Sequence, residues 1–368
     1  MKKRVERKKY HLMLVVAGLK ECVTPAVSLV LEIRKRSSEI SFTWVGCSRK
    51  EELEVCKKYN IPYMLLESQG NGKKSKLGSL VRFCAEFIRF NKKMSENKPS
   101  AVLAFGGYES IPVLAAARVK SVTYYLIEPN AIADPVNRLF ASKAKRIFLG
   151  HSSVNLNVLG GSKELTGIPV RQVSKGYNKT EYPGNFDRSK KTILICSGKD
   201  DSYSFNCCLV DTVKEWLENG VQIIWQTGGK SYPKLKEMFS GYNNIFLFSE
   251  VKDLYPYYAA SKIVVGRSEP DFMAEIAYFG LPCMLISPPP STNSIKWLNA
   301  GLVQNQGWAI RFQESESCGE KLLTTVNEIL ADEDRYEWMC RKALDNAPTN
   351  AVSRISEVII NELGIKKR

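Results

Sequence analysis

Histidine is nearly missing from this chain, with two in 368 residues, His11 and His151. That scarcity excludes a multi-histidine metal centre. The ten cysteines are scattered, with no C-x-x-C pair and no histidine at ligand spacing, so no metal site is indicated. Cys207 and Cys208 are adjacent, too close for an ordinary disulfide, and read as reduced thiols of a cytosolic protein. No apolar run reaches the ~18–20 residues that span a bilayer. The N-terminal "MKKRVERKKYHLMLVVAGL" sets a basic head before a short apolar stretch, as a secretion signal does. No small-x-small cleavage site follows cleanly, so it reads as a basic lead into a buried first strand.

Glycine is also short where it is most expected. In "VVAGLKECVTPAV", Val15 to Val27, an apolar strand runs into a turn with one glycine, Gly18. Turns that close backbone N–H groups around a phosphate normally carry several. Here Leu19, Lys20, Glu21 and Cys22 fill those places.

What is present is a folded composition, 44% hydrophobic and 25% charged, in a chain long enough for two domains. The formal net charge of +15 suits an anionic membrane surface or a phosphorylated substrate. It would also suit nucleic acid, but no recognition module accompanies it, so no nucleic-acid partner is expected. Strand-like runs alternate with helical patterns, which predicts parallel sheets covered by helices. The first series reads "HLMLVV", "SFTWVG", "YMLLES", "AVLAFGG", "SVTYYLIE" and "RIFLG"; the second reads "TILICSG", "VQIIWQTGG", "NIFLFS", "KIVVGR" and "PCMLISPPP". Helical patterns cover Pro25–Arg36 and Glu51–Tyr59 among others. The expected fold class is therefore α/β, two Rossmann-like doubly wound domains with a cleft between them. The expected bounds are 1–171, a linker at 172–190, 191–350, and a C-terminal helix and basic tail at 351–368.

In "KKSKLGSLVRFCAEFIRFNKK", Leu77, Leu80, Val81, Cys84, Phe87 and Ile88 recur at helical spacing as a core-facing stripe. Phe83 and Phe90 lie off it, flanked by Arg82 and Arg89, and form a candidate membrane patch.

Four short stretches carry chemistry. "AFGGYESIP" ends a strand in paired glycines, Gly106 and Gly107, followed by Tyr108. "IEPNAIADPVNRLF" places Glu128 and Asn130 just after a strand, and "TGIPVR" ends the first half in a cation, Arg171. In "GRSEPDFMAEIAYFGLP", Pro270 starts a helix and Glu275 sits about a turn inside it. There a carboxylate can accept both ribose hydroxyls of a nucleotide whose diphosphate lies at the helix start.

In this order and spacing the four stretches resemble the MurG family from about residue 10 to about 350. These are membrane-associated GT-B transferases that move N-acetylglucosamine from UDP-GlcNAc to lipid-linked muramyl-pentapeptide in peptidoglycan synthesis. The resemblance implies an inverting hexosyltransferase at the cytoplasmic face of the cell membrane, without a cofactor. It implies an acceptor side of Gly18, Gly106, Gly107, Tyr108 and Asn130, and a UDP-sugar side of Arg171, Lys199, Val251 and Glu275. The implied partners are UDP-GlcNAc, a lipid-diphosphate acceptor and an anionic membrane surface.

The departures from the family pattern are local. The family's first loop reads G-G-T-G-G-H, and the same register puts Cys22 on its histidine, the proposed general base. Cys22 and Glu128 are the remaining candidate bases. The second half's glycine loop reads Ser197-Gly198-Lys199-Asp200-Asp201, with a lysine for a hydroxyl and two acids. Glu269 adds an acid near the expected diphosphate, and Ile295 and Lys296 replace a sugar-reading Gln-Gln pair. These changes support a second reading, a catalytically silent paralogue that binds a partner or lipid at the membrane; a third is a GT-B-fold sugar-nucleotide epimerase, which shares the architecture and the donor-site glutamate.

Overall fold

The computed structural model describes residues 9–67, 76–152, 154, 160–171, 186–198, 203–251, 253–288, 295–315 and 318–366, with the backbone alone for 76–80. The chain forms two compact units, residues 1–172 with 348–368, and 173–347.

Unit 1 is a seven-stranded parallel sheet. Its strands are β1 Tyr10–Val15, β2 Ile40–Gly46, β3 Tyr63–Leu65, β4 Ala101–Ala104, β5 Tyr124–Glu128, β6 Arg146–Leu149 and β7 Lys163–Leu165. The order is β3-β2-β1-β4-β5-β6-β7, so the strand order reverses between β1 and β4. The helices are α1 Val23–Arg36, α2 Lys50–Lys58, α3 Lys76–Asn97, α4 Ile111–Val119 and α5 Pro135–Phe140. Strand residues alternate between two cores. Leu12 and Leu14 pack on one face, Met13 and Val15 on the other, and Tyr125 and Tyr124 divide the same way. Both faces are covered, which is why these strands read as continuous apolar runs.

Unit 2 is a six-stranded parallel sheet of order β10-β9-β8-β11-β12-β13. These are β8 Thr192–Cys196, β9 Gln222–Gln226, β10 Ile245–Phe248, β11 Ile263–Gly266, β12 Cys283–Ser287 and β13 Ala309–Gln313. Its helices are α6 Tyr203–Cys207, α7 Val210–Glu218, α8 Tyr232–Met238, α9 Tyr255–Ala260, α10 Pro270–Tyr278, α11 Ile295–Asn305, α12 Cys318–Ala331 and α13 Glu333–Asp345.

The last helix, α14 Ala351–Glu362, returns to unit 1. Val352, Ile355, Val358, Ile359 and Ile360 pack with Leu12, Leu14, Val30 and Ile33. The sequence shows such a helix but not its destination. Most of the expected linker lies outside the described residues, and 186–190 belongs to unit 2, where Asp187 N–H donates to Gln222 Oε1 at 2.6 Å.

The α3 faces depart from the expectation, although Phe87 of the expected stripe does pack against the core. Phe90 is 0% exposed, packed with Met94 and with Val113 and Ala117 of α4, while Val81 is 61% and Ile88 65% exposed. Cys84 is exposed too. Leu77 and Leu80 have side chains outside the described set. Phe90 is therefore core and not membrane patch. Arg89 pairs with Glu86, donates to Leu65 O and lies over the Phe90 ring, and Arg82 and Phe83 are half-buried. Apolar residues occur on both stripes, and the larger aromatic side chains bury more area against the sheet.

Candidate functional site

The turns after β1, β4 and β5 gather the residues expected on the acceptor side at the carboxyl ends of neighbouring strands, where open α/β sheets place ligands. After β1, Ala17 and Gly18 both adopt positive φ, 52° and 74°. A 3-10 turn, Lys20–Cys22, then leads into α1. The Gly18 N–H donates to Glu52 Oε1 at 3.3 Å. Cys22 is 1% exposed in the core beneath α1. That burial removes it from the role of base; it is a packed cysteine at a helix start.

After β4, Gly106 and Gly107 have φ of 88° and 80°, a conformation that glycine adopts without steric cost. A Cβ on Gly107 would stand 3.2 Å from Leu19 Cδ1, so the two turns touch through that leucine. The Gly107 N–H donates to Asp134 Oδ1 at 3.3 Å, and the same oxygen caps α5 by accepting from Val136 N–H at 2.8 Å. Tyr108 is exposed.

At the end of β5, Glu128, a candidate base, is 0% exposed. Oε1 accepts from Asn130 N–H at 3.0 Å and Asn130 Nδ2 at 3.3 Å. Oε2 accepts from Asp134 N–H at 2.6 Å and Asn137 Nδ2 at 2.8 Å. Burial pushes the carboxyl up to about 7, with the nearby Asp134 charge adding, even though the hydrogen bonds favour ionisation. Glu128 thus has the basicity of a general base but no access to solvent. It holds the 128–137 loop in shape and sets the position of Asn130. After β6, His151 is half-buried with Nε2 sealed and unpartnered among the described residues. Burial pushes its imidazole down to about 4. Arg171 is exposed in the coil that follows β7.

In unit 2, Lys199 lies outside the described residues, as do Asp200 and Asp201. Gly198 before them has a φ of 85°, and among the described residues nothing lies within 4 Å of its Cβ position. Val251 is half-buried just beyond β10. Arg267 is buried, pairs with Glu314, donates to Ile286 O at 3.1 Å and lies over the Phe205 ring. Glu269, at the head of α10, pairs with Lys296 Nζ at 2.6 Å, and Ser268 Oγ donates to Lys296 O at 2.7 Å. Pro270 has no N–H, and Phe272 N–H donates to Asp271 Oδ1 at 2.9 Å. Glu275 is half-buried and accepts from Tyr258 Oη at 3.2 Å. That phenol is pushed well up, first by burial and then by the Glu275 charge. Among the described residues no His/Cys/Asp/Glu group could hold a metal ion.

Sequence reasoning missed Glu52, Asp134 and the Glu269–Lys296 pairing. An acid at the third position of α2, accepting from the Arg49 N–H at 3.3 Å, could have been read as a capping residue. Its reach to Gly18 could not.

Two Rossmann-like parallel units, each with its polar turns at the switch-point strands, define a protein of the GT-B class. MurG of Acinetobacter baumannii has this fold, with a TM-score of 0.76 at 21% identity over 96% of this chain and 99% of that one. So does a putative UDP-N-acetylglucosamine 2-epimerase of Listeria monocytogenes, with a TM-score of 0.73 at 14% identity over 96% of each chain. At such identities the likeness establishes fold alone. The chain belongs to glycosyltransferase family 28, whose N-terminal domain matches residues 22–149 and whose C-terminal domain matches residues 192–356. A Flavobacterium psychrophilum protein, 27% identical over 360 residues, covers 95% of this chain and 98% of its own length. It is named UDP-N-acetylglucosamine–N-acetylmuramyl-(pentapeptide) pyrophosphoryl-undecaprenol N-acetylglucosamine transferase.

Proposed function

We propose that this chain is a hexosyltransferase that moves N-acetylglucosamine from UDP-GlcNAc to a lipid-diphosphate-linked muramyl-peptide, from lipid I to lipid II in peptidoglycan synthesis. The observation that carries this is the family match through both units, together with a relative of that name aligned along nearly its whole length. In the transfer, an acceptor hydroxyl oxygen bonds to C1 of the sugar with inversion. The C1–O bond to UDP breaks, its electron pair leaves with the diphosphate, and the hydroxyl proton passes to a base.

The donor side is Glu275 for the ribose, Val251 for the uracil, and Arg171 and Lys199 for the diphosphate charge. The acceptor side is Gly18, Gly106, Gly107, Tyr108 and Asn130. Cys22 and Glu128 are buried and support the turns, and the base is another group.

The chain works at an anionic membrane surface on the cytoplasmic face of the cell membrane. Support for this is the net charge of +15 and the exposed apolar row Val81, Cys84 and Ile88 on α3, with exposed Lys92 on the same helix. No helix among the described residues is long and apolar enough to cross a membrane.

Calorimetric titration with UDP-GlcNAc, followed by transfer of labelled N-acetylglucosamine to a lipid-diphosphate muramyl acceptor, tests the assignment. Absence of UDP-sugar binding at millimolar concentration overturns it.

A further inference from the structure

The turn after β1 holds its own anion. Glu52 is fully buried, and its carboxylate joins two elements that are distant in sequence. Oε1 accepts the Gly18 N–H at 3.3 Å. Oε2 accepts the Cys47 N–H at 2.9 Å, the Arg49 N–H at 3.3 Å and the Tyr63 hydroxyl at 3.1 Å. The seat is built for this group: a Cβ on Gly46 would stand 2.5 Å from Glu52 Oε2. The turn it grips is conformationally costly, since Ala17 takes a positive φ that an alanine rarely adopts. From that turn Leu19 reaches across to Gly107 of the second turn.

We propose that Glu52 is a positioning residue of the acceptor side. Its carboxylate takes the Gly18 N–H that a glycine-rich loop would turn toward a phosphate, and so fixes the turn that sets Leu19 against Gly107. Loop 1 is then a rigid wall of the acceptor site and not an anion trap. The acceptor half of this statement rests on the functional assignment above.

Glu52→Gln tests it. The amide oxygen stays on the side with three donors, so the amide nitrogen meets the Gly18 N–H donor to donor, and only loop 1 is released. Amide hydrogen exchange across residues 15–22 should quicken while that of residues 26–33 in α1 stays as in the wild type. The acceptor kcat/KM should fall ~10- to 100-fold, as misplacement by about an ångström does. The KM for UDP-GlcNAc should stay at its wild-type value. Tyr63→Phe is the comparison, because it removes a donor from Oε2 and leaves the Gly18 bond; its acceptor kinetics should match the wild type.

Wild-type exchange and acceptor kinetics in Glu52→Gln overturn the proposal. So does a Tyr63→Phe variant that loses as much as Glu52→Gln, since Glu52 would then only support the fold. Should Glu52→Gln not fold, Glu52→Asp, which is too short to span both elements, is read by the same criteria. A wild-type chain that transfers nothing overturns the functional assignment and the acceptor half with it, while exchange at residues 15–22 still decides the hold on the turn.

Discussion

Lys296 Nζ lies 2.6 Å from Glu269 Oε1, so a cation from α11 neutralises an acid at the head of α10. That helix start gives little else to an anion, because Pro270 has no N–H and Asp271 occupies the N–H of Phe272. Both partners are partly exposed, and the pair is screened accordingly. Removing Glu269 should tighten UDP binding and removing Lys296 should weaken it, each by about 2- to 5-fold, the scale of one charge at a helix terminus. Calorimetry on Glu269→Ala and Lys296→Ala reads both, and opposite signs are the decisive outcome. High salt should shrink the difference.

Glu128 and His151 give the stability of unit 1 two opposed pH slopes. Burial raises the folded Glu128 carboxyl from 4.5 to about 7, so between these values the folded state holds a proton the unfolded state has lost. Stability from this group is full below pH ~4.5 and falls as pH rises toward 7. Burial lowers His151 from 6.5 to about 4, so there the unfolded state binds the proton and stability falls as pH drops from 6.5 toward 4. Each is worth up to about 3 kcal/mol, and across the shared window they offset one another. Glu128→Gln should leave only the histidine slope and make the protein lose stability on acidification. His151→Gln should leave only the carboxyl slope. Urea midpoints from pH 4 to pH 8 for the three proteins check this; parallel profiles would contradict it.

On α3 the same helix should give two unrelated phenotypes. Val81→Asp with Ile88→Asp, both at exposed positions, should change stability by less than ~0.5 kcal/mol and sharply reduce co-sedimentation with phosphatidylglycerol vesicles. Phe90→Ala should cost ~3–5 kcal/mol by emptying a core position, with vesicle binding per folded molecule retained. If the Phe90 variant alone lost vesicle binding, the aromatic patch first read from the sequence would be restored.

Ile359 is 1% exposed where α14 meets the sheet of unit 1. Ile359→Ala should therefore destabilise unit 1 by ~2–5 kcal/mol, although only nine residues follow it here. Arg146 pairs with Glu362, and Arg36 donates to Ser353 Oγ at 2.6 Å, so the attachment is polar at its margins as well. Thermal unfolding followed by tryptophan fluorescence, with Trp44 buried in the same core, reports the loss.

The sequence by itself determined the strand series, the two-unit α/β order and the family. Strands buried on both faces must be apolar throughout, and four short motifs keep their order and spacing. β7 and β13 escaped notice because each is an edge strand with one neighbour and polar residues along it, "KEL" and "AIRFQ". Tertiary structure alone decided which stripe of α3 faces inward, because apolar residues on two stripes leave the choice to the shape of α4 and the sheet. It also decided that Cys22 is packed, that Glu128 is enclosed by four donors, and that Glu52 reaches Gly18 from 34 residues away. Charge and hydrogen-bonding capacity are written in a residue's type; the partner that satisfies them is set by which distant turns the sheet brings together.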